Sequence, residues 1–283
     1  MKIGIVGNGF VGSSVAFGFS PQTGCEAEIK IYDKDESKST HSLVETLESD
    51  FIFVSVPTPS NSDGSINLDI IYDCFHEMSM LNKRKDNVIL LRSTVVPGTT
   101  RALKNKFRNL NIVFNPEFLT ERSAKFDFIN QSRFILGGKQ SDVEKVAKLY
   151  TDRFGNTTPV IKTNYETSEM IKYMNNCYFA TKVSFMNEMY QIADSCGVDW
   201  EMAVDGFIRD GRIGHSHLAV PGPDGRFGFG GSCFPKDIQA MINFAKKSEI
   251  SPNVLKGAWE TNLDVRPERD WEKLKGRAIV EDE

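Results

Sequence analysis

The sequence predicts an α/β protein, a doubly wound sheet followed by a helical domain with one long helix. Three observations predict it. Short apolar runs alternate with helix-length amphipathic stretches through the first half, a glycine-rich turn sits directly after the first apolar run, and from about Tyr165 the alternation gives way to a single long helical segment. The 283 residues, 40% hydrophobic and 25% charged, suffice for two cores. A formal charge of −4 with scattered lysines leaves no basic face, so neither nucleic acid nor a membrane surface is an expected partner. "MKIGIV" reads as a strand rather than a leader, and no apolar run reaches spanning length. Five cysteines (Cys25, Cys74, Cys177, Cys196, Cys233), odd in number and without a C-x-x-C pair, fit a reducing cytoplasm.

Strands are expected at Lys2–Val6, Glu28–Tyr32, Phe51–Val56, Asn87–Leu91, Asn111–Phe114, Arg133–Leu136 and Pro159–Lys162, forming a parallel sheet. Leu68–Leu81, Thr99–Phe107 and Asp142–Phe154 carry helical spacing between turn formers. The long helix "ETSEMIKYMNNCYFATKVSFMNEMYQIADSCG" closes at Gly197. It has two apolar rows, one through Ile171, Met174, Tyr178, Phe185, Met189 and Ile192, the other through Phe179, Val183, Met186, Tyr190 and Ala193. Two rows need two surfaces, the chain's own core and either a second subunit or further helices of the same chain. Arg209 to Gly231 reads as a long loop, functional or disordered, and another helix begins near Pro235. The expected division is 1–163, 164–265 and a tail, 266–283.

"GIVGNGFVG" sets Gly7, Gly9 and Gly12 in G-x-G-x-x-G spacing between a strand and the helix beginning near Val11. The glycines permit a tight turn and close backbone approach, while the helix N-terminus offers unpaired N–H groups to a pyrophosphate. Alone the motif is weak and can serve packing. The next strand, "EIKIYD", ends at Asp33, about twenty residues on, where a carboxylate accepts hydrogen bonds from ribose hydroxyls. The first 163 residues are therefore expected to be Rossmann-like. Asp33 repels a 2′-phosphate and favours NAD over NADP, with Lys34 and Lys38 arguing the other way; FAD would use the same fingerprint, but nothing else points to it.

"GFGGSCFPKD" places Cys233 ahead of a helix whose first position suits Pro235 and whose first turn holds Asp237. The helix dipole and Lys236 favour thiolate, hence a nucleophile, and Gly230 and Gly231 leave room for a bulky substrate. Such a thiol can add to an aldehyde, giving a thiohemiacetal from which hydride leaves to form a thioester that water cleaves. The other four cysteines read as small packing residues. Lys172 and Asn176 share a helix face with Glu169, either to stabilise an oxyanion or as a solvated face. "NPEFLTE" supplies Glu117 and Glu121, for base work or for capping a helix. His215 and His217 have no further ligand at suggestive spacing, so no metal is expected.

Through "GNGFVG", "VSVPTP", "RSTVVPGT", "NPEFLTE", "SEMIKYMNNCYFATKVSFMNE", "RIG" and "GFGGSCFPKD", in order over nearly all of residues 1–265, the chain resembles the UDP-glucose/GDP-mannose dehydrogenases, most closely the UDP-glucose 6-dehydrogenase branch. The resemblance implies oxidation of a sugar C6 alcohol to a carboxylate by two NAD+, through an enzyme-bound thioester. It implies Cys233 as nucleophile, Lys172 and Asn176 at the oxyanion, and Asp237 positioning water and moving protons. Glu121 would assist hydrolysis, with Thr94 holding a water. NAD contacts would fall on Gly7, Asn8, Gly9, Phe10, Val11, Gly12, Asp33, Lys38, Val56, Pro57, Thr58, Ser93, Thr94, Glu121 and Lys236. The sugar nucleotide would meet Glu117, Phe118, Leu119, Lys172, Asn176, Gly230, Cys233 and the stretch from Ala219 to Phe229. Arg212 would reach it across a dimer interface, making residues 164–265 a dimerisation domain.

Two departures stand out. The family writes "STVPVGT" where this chain has "STVVPGT", and relatives carry a further Rossmann-like, UDP-holding domain that opens with a stretch like "LKGRAIV", where this chain ends. The expectation is a cytoplasmic, homodimeric, NAD-dependent oxidoreductase of polysaccharide biosynthesis that takes UDP-glucose to UDP-glucuronate. The alternatives are a non-catalytic NAD- or nucleotide-sugar-binding fragment and a single-step hydroxyacid dehydrogenase, which has no need of Cys233.

Overall fold

Each apolar run expected to be a strand forms one, because β-branched and aromatic residues flanked by turn formers suit a covered sheet. A computed structural model describes residues 1–281; the last two residues of the expected 266–283 tail, Asp282 and Glu283, lie outside the described residues. In chain order the elements are β1 (Lys2–Val6), α1 (Phe10–Gly18), β2 (Glu28–Tyr32), α2 (Leu43–Leu47), β3 (Phe51–Val54), α3 (Asp69–Leu81), β4 (Val88–Leu91), α4 (Thr99–Lys106), β5 (Ile112–Phe114), α5 (Ala124–Ile129), β6 (Phe134–Gly138), α6 (Gln140–Phe154) and β7 (Val160–Thr163). Four helices follow: α7 (Tyr165–Ser195), α8 (Trp200–Ile208), α9 (Phe234–Lys247) and α10 (Asn253–Val265). The short α2 begins with a capping box between Ser42 and Glu45, and α8 with the Asp199 side chain accepting from Met202 N–H.

Two compact units result, one of Met1–Thr58 with Leu68–Lys172, the other of Pro59–Asn67 with Tyr173 onward. The division falls inside α7. In the first unit the strand order is β2-β1-β3-β4-β5-β6-β7. The order reverses at β1, which opens a crevice beyond the carboxyl ends of β1 and β3. Both faces are covered: Leu43, Ile71, Phe75, Met78 and Leu103 belong to one apolar layer, Val15, Phe19, Phe128, Val146 and Tyr150 to the other.

The sheet departs from the expected parallel arrangement at one edge. β6 pairs antiparallel with β5, Val113 facing Gly138 and Phe114 facing Gly137, and β7 then runs parallel to β6. An antiparallel neighbour starts at the end where its partner stops. Instead of returning along the sheet, the connection carries α5, whose Phe128 ring lies where a Cβ on Gly18 of α1 would be, 2.3 Å away.

In the second unit the buried row of α7 packs as the pattern requires, with Met186 clustered with Leu218 and Val220 and flanked by Tyr190, Trp200, Val204 and Ile208. The described chain leaves the other row uncovered: Met174, Tyr178, Phe185 and Ile192 are at least half exposed. The "LKGRAIV" stretch is built into this unit, since Ala278 is buried and Ser60 exchanges backbone hydrogen bonds with Ala278 and Val280.

Glu169 of α7 is fully buried and caps α4, its two oxygens accepting from Gly98 N–H and Thr100 N–H at 2.7 Å each. Burial nevertheless raises its carboxyl from an ordinary 4.5 to about 7. Between those values the folded chain holds a proton that the unfolded chain has lost, so this group's contribution to stability declines as pH rises from about 4.5 to 7. A Glu169→Gln variant is neutral throughout. The stability advantage of the wild type over this variant, measured by urea denaturation, should shrink between pH 5 and pH 8 by up to about 3 kcal/mol.

Candidate active site

In the first unit the glycine turn forms at the mouth of the sheet crevice. Gly7 has φ 89°, and a Cβ there would fall 2.5 Å from the Ser55 carbonyl oxygen, while one on Gly12 would fall 2.0 Å from the Gly7 carbonyl oxygen. Both positions are closed to side chains by the protein itself. Gly9, the residue before α1, faces open space, and the first turn of α1 has no acidic residue and no capping side-chain bond, so the helix dipole there favours an anion. Phe10 and Val11 begin that helix.

Asp33 stands just past β2 with both oxygens engaged, Oδ2 by Asn8 N–H at 2.6 Å and Oδ1 by Asp35 N–H at 2.9 Å. Two backbone donors fix the carboxylate's direction and leave further lone pairs for hydroxyl groups. Asn8 donates its Nδ2 to the Lys38 carbonyl at 2.9 Å, while its buried Oδ1 is an acceptor without a partner among the described residues. Lys38 thus serves the turn through its carbonyl; its ammonium pairs with Asp35 at 3.0 Å, which removes one cation that a 2′-phosphate could use. Past β3 and β4, Ser93 Oγ donates to the Val56 carbonyl at 2.6 Å, and Thr58, Ser93 and Thr94 are buried. Pro57 lies between Val56 and Thr58, exposed. An open glycine, an orphan acceptor and a fixed carboxylate together fit a dinucleotide.

The segment after β5 holds a second feature of this unit. Lys172 Nζ donates to the carbonyl and to Oε1 of Glu117 at 2.6 and 2.9 Å, and Glu117 Oε2 accepts from Leu119 N–H at 2.7 Å. Both side chains are buried. Phe118 lies beside them, 5.4 Å from the Lys172 ammonium and 4.3 Å from the Arg133 guanidinium. Glu121 begins a short 3-10 turn and is exposed, whereas Glu117 is buried.

In the second unit Cys233 is the N-cap of α9, Phe234 takes the first helical position and Pro235 the second, one place later than expected. Asp237 sits in the first turn, almost completely buried, and its carboxylate accepts from Asn176 Nδ2 at 2.6 Å and from Lys236 Nζ. Cys233 is partly exposed, whereas Cys177 is buried against the Asp237 carbonyl, where desolvation pushes its thiol well above the ordinary range. Burial likewise holds Cys74 at about 12. Arg212 is exposed and forks onto its own neighbour Asp210 at 2.5–3.2 Å. Among the described residues no group of three His, Cys, Asp or Glu is placed to hold a metal.

The structure thus distributes the expected residues as pairs. Lys172 and Asn176 stand one turn apart on α7, but Lys172 is held by Glu117 and Asn176 by Asp237. Asn187, which lies within "SEMIKYMNNCYFATKVSFMNE" but takes no role from the sequence, accepts from Gly228 N–H at 3.0 Å.

A switch-point glycine turn and a terminal carboxylate on a doubly wound sheet define a NAD-binding dehydrogenase fold. The family-level match is specific: residues 38–153 match the NAD-binding domain of the UDP-glucose/GDP-mannose dehydrogenase family, and residues 166–264 its central domain. The chain is 31% identical, over 98% of its length and 73% of the other, to UDP-glucose 6-dehydrogenase AglM of Haloferax volcanii. It is 36% identical over 82% of its length to a UDP-glucose 6-dehydrogenase of Rickettsia prowazekii, of which it spans 55%. A UDP-glucose dehydrogenase structure from Pyrobaculum islandicum superposes with a TM-score of 0.79 at 25% identity, covering 96% of this chain and 70% of that one. The chain belongs to the UDP-glucose/GDP-mannose dehydrogenase family of NAD-dependent oxidoreductases.

Asp33→Ala removes a charged acceptor worth about 1.5–3 kcal/mol, so the Kd for NAD, measured by titration calorimetry, should rise about 10- to 100-fold. Glu117→Ala takes the carboxylate from a buried ammonium and should lower unfolding free energy by about 3 kcal/mol in guanidinium denaturation.

Proposed function

We propose that this chain oxidises the C6 alcohol of a nucleotide sugar to the carboxylate, UDP-glucose to UDP-glucuronate, through a thioester on Cys233. The observation that carries this reading is the polar cluster under Cys233: a partly exposed thiol at a helix N-terminus, with the buried Asp237, Lys236 and Asn176 in and against the first turn. NAD, when bound, supplies the acceptor for one hydride in each of two oxidations, and Gly7–Gly12, Asp33, Ser93 and Thr58 are the residues that would hold it.

The chain's own groups do the rest. The positive end of α9 favours a thiolate on Cys233, which adds to the C6 aldehyde and leaves an oxyanion on the thiohemiacetal. Lys172 and Asn176 are the ammonium and amide donors for that oxyanion. Loss of hydride from the thiohemiacetal carbon leaves the thioester. Attack by water, from which Asp237 takes a proton, then releases carboxylate and returns the thiol. Thr94 and Glu121 are the further candidates for positioning that water. Glu117, Phe118, Leu119, Phe229 and Gly230 would border the sugar nucleotide.

The uncovered apolar row on α7 supports a homodimer, and the exposed Arg212 is the residue suited to reach a partner's substrate.

The wild-type chain should form two NADH per UDP-glucuronate, read by absorbance and product mass. Cys233→Ser should abolish acid formation. One NADH with an aldehyde as final product, or full four-electron turnover in the variant, refutes the reading; NAD binding without turnover on any UDP-, GDP- or ADP-sugar points to a binding fragment.

A further inference from the structure

The segment leading into Cys233 has neither helix nor strand to pair its backbone, yet Phe229 is buried within it. Buried peptide groups need partners, and here side chains supply them. Asn262 of α10, itself fully buried, spends both ends of its amide on one residue. Its Oδ1 accepts from Phe229 N–H at 2.7 Å and its Nδ2 donates to the Phe229 carbonyl at 3.0 Å, as a neighbouring strand would. Asp270 Oδ2 accepts from Gly231 N–H at 3.1 Å. Arg266, buried, joins these points: Nη1 donates to the Phe227 carbonyl at 3.1 Å, Nε to Asp270 at 2.6 Å and Nη2 to Asp224 at 2.7 Å.

The glycines fit this clamp. A Cβ on Gly228 would fall 2.4 Å from Asn262 Oδ1, and one on Gly230 2.3 Å from Asp270 Oδ1 and 2.4 Å from Arg266 Nη2. The bareness of Gly230, read from sequence as room for substrate, is occupied by the protein's own side chains; Gly231, with φ 72°, faces open space. Below, the Phe229 ring packs near Trp259 at 6.2 Å and edge-on to Phe234 at 6.1 Å, so the two residues that bracket the cysteine stretch are tied to each other.

We propose that Asn262, backed by the Arg266–Asp270 pair, is a positioning residue for Cys233: it pins the Phe227–Gly231 backbone and thereby holds the thiol at the N-terminus of α9. The inference rests on Cys233 being the nucleophile and extends that reading to residues that touch no substrate.

The test is the rate at which iodoacetamide alkylates Cys233 in the folded full chain as a function of pH, the modified residue being read by peptide mass mapping. Asn262→Ala, folded by circular dichroism, should alkylate about fivefold more slowly at pH 7, with its pH midpoint moved upward as the thiol leaves the helix end. Asp270→Asn should shift in the same direction by less. A wild-type profile in both variants, or a faster rate at every pH with the midpoint unchanged, overturns the proposal. Should Asn262→Ala not fold, the Asp270→Asn profile decides by the same two criteria. The readout needs no turnover, so a wild-type chain that oxidises no nucleotide sugar refutes the dehydrogenase reading and leaves this result standing.

Discussion

Every buried polar side chain on α7 needs a partner, and the partners it finds organise the molecule. Glu169 caps α4, Lys172 is bound by Glu117, Asn176 by Asp237, and Ser184 donates to the Ala258 carbonyl of α10 at 2.6 Å, while Asn187 accepts from the cysteine loop. Apolar burial alone would tolerate a helix rotated or shifted by a fraction of a turn. A buried amide or ion left without its partner costs a few kcal/mol, which is enough to choose one register among near-equals.

The buried ion pairs follow the same rule. In each unit charges are buried as opposites, Lys172 with Glu117 in the first and Lys236 with Asp237 in the second, so that neither pair leaves a net charge in a dry interior. Each carboxylate keeps additional hydrogen bonds, to Leu119 N–H in one case and to Asn176 in the other, which hold the geometry without a ligand.

Glycine does two different jobs here. At Gly9 the missing side chain leaves space outside the protein, which suits a ligand's approach; at Gly12, Gly228 and Gly230 the space is filled by the chain itself. A glycine in a motif therefore marks a close approach without saying what approaches. Arg266 and Asp270 lie beyond the matched central domain, which ends at residue 264, so part of what steadies the cysteine loop lies outside the stretch that identifies the family.

The sequence by itself determined whatever depends on near neighbours: the strands, the glycine turn before α1, Asp33 at the next strand's end, and Cys233 ahead of a proline and an acid in a first turn. These are set by backbone sterics, hydrophobic period and helix-end electrostatics, all of which act within a few residues or one βαβ unit. Only the tertiary structure decided the reversed direction of β6, the partners of Lys172 and Asn176, the cap that Glu169 places on α4, and the hold of Asn262 on Phe229, 33 residues away. In each of these a side chain or strand has several chemically equivalent partners, and which one it meets is chosen by chain crossover and by the demand that every buried polar group be paired. That demand operates across the whole fold and leaves no periodic trace in the order of the residues.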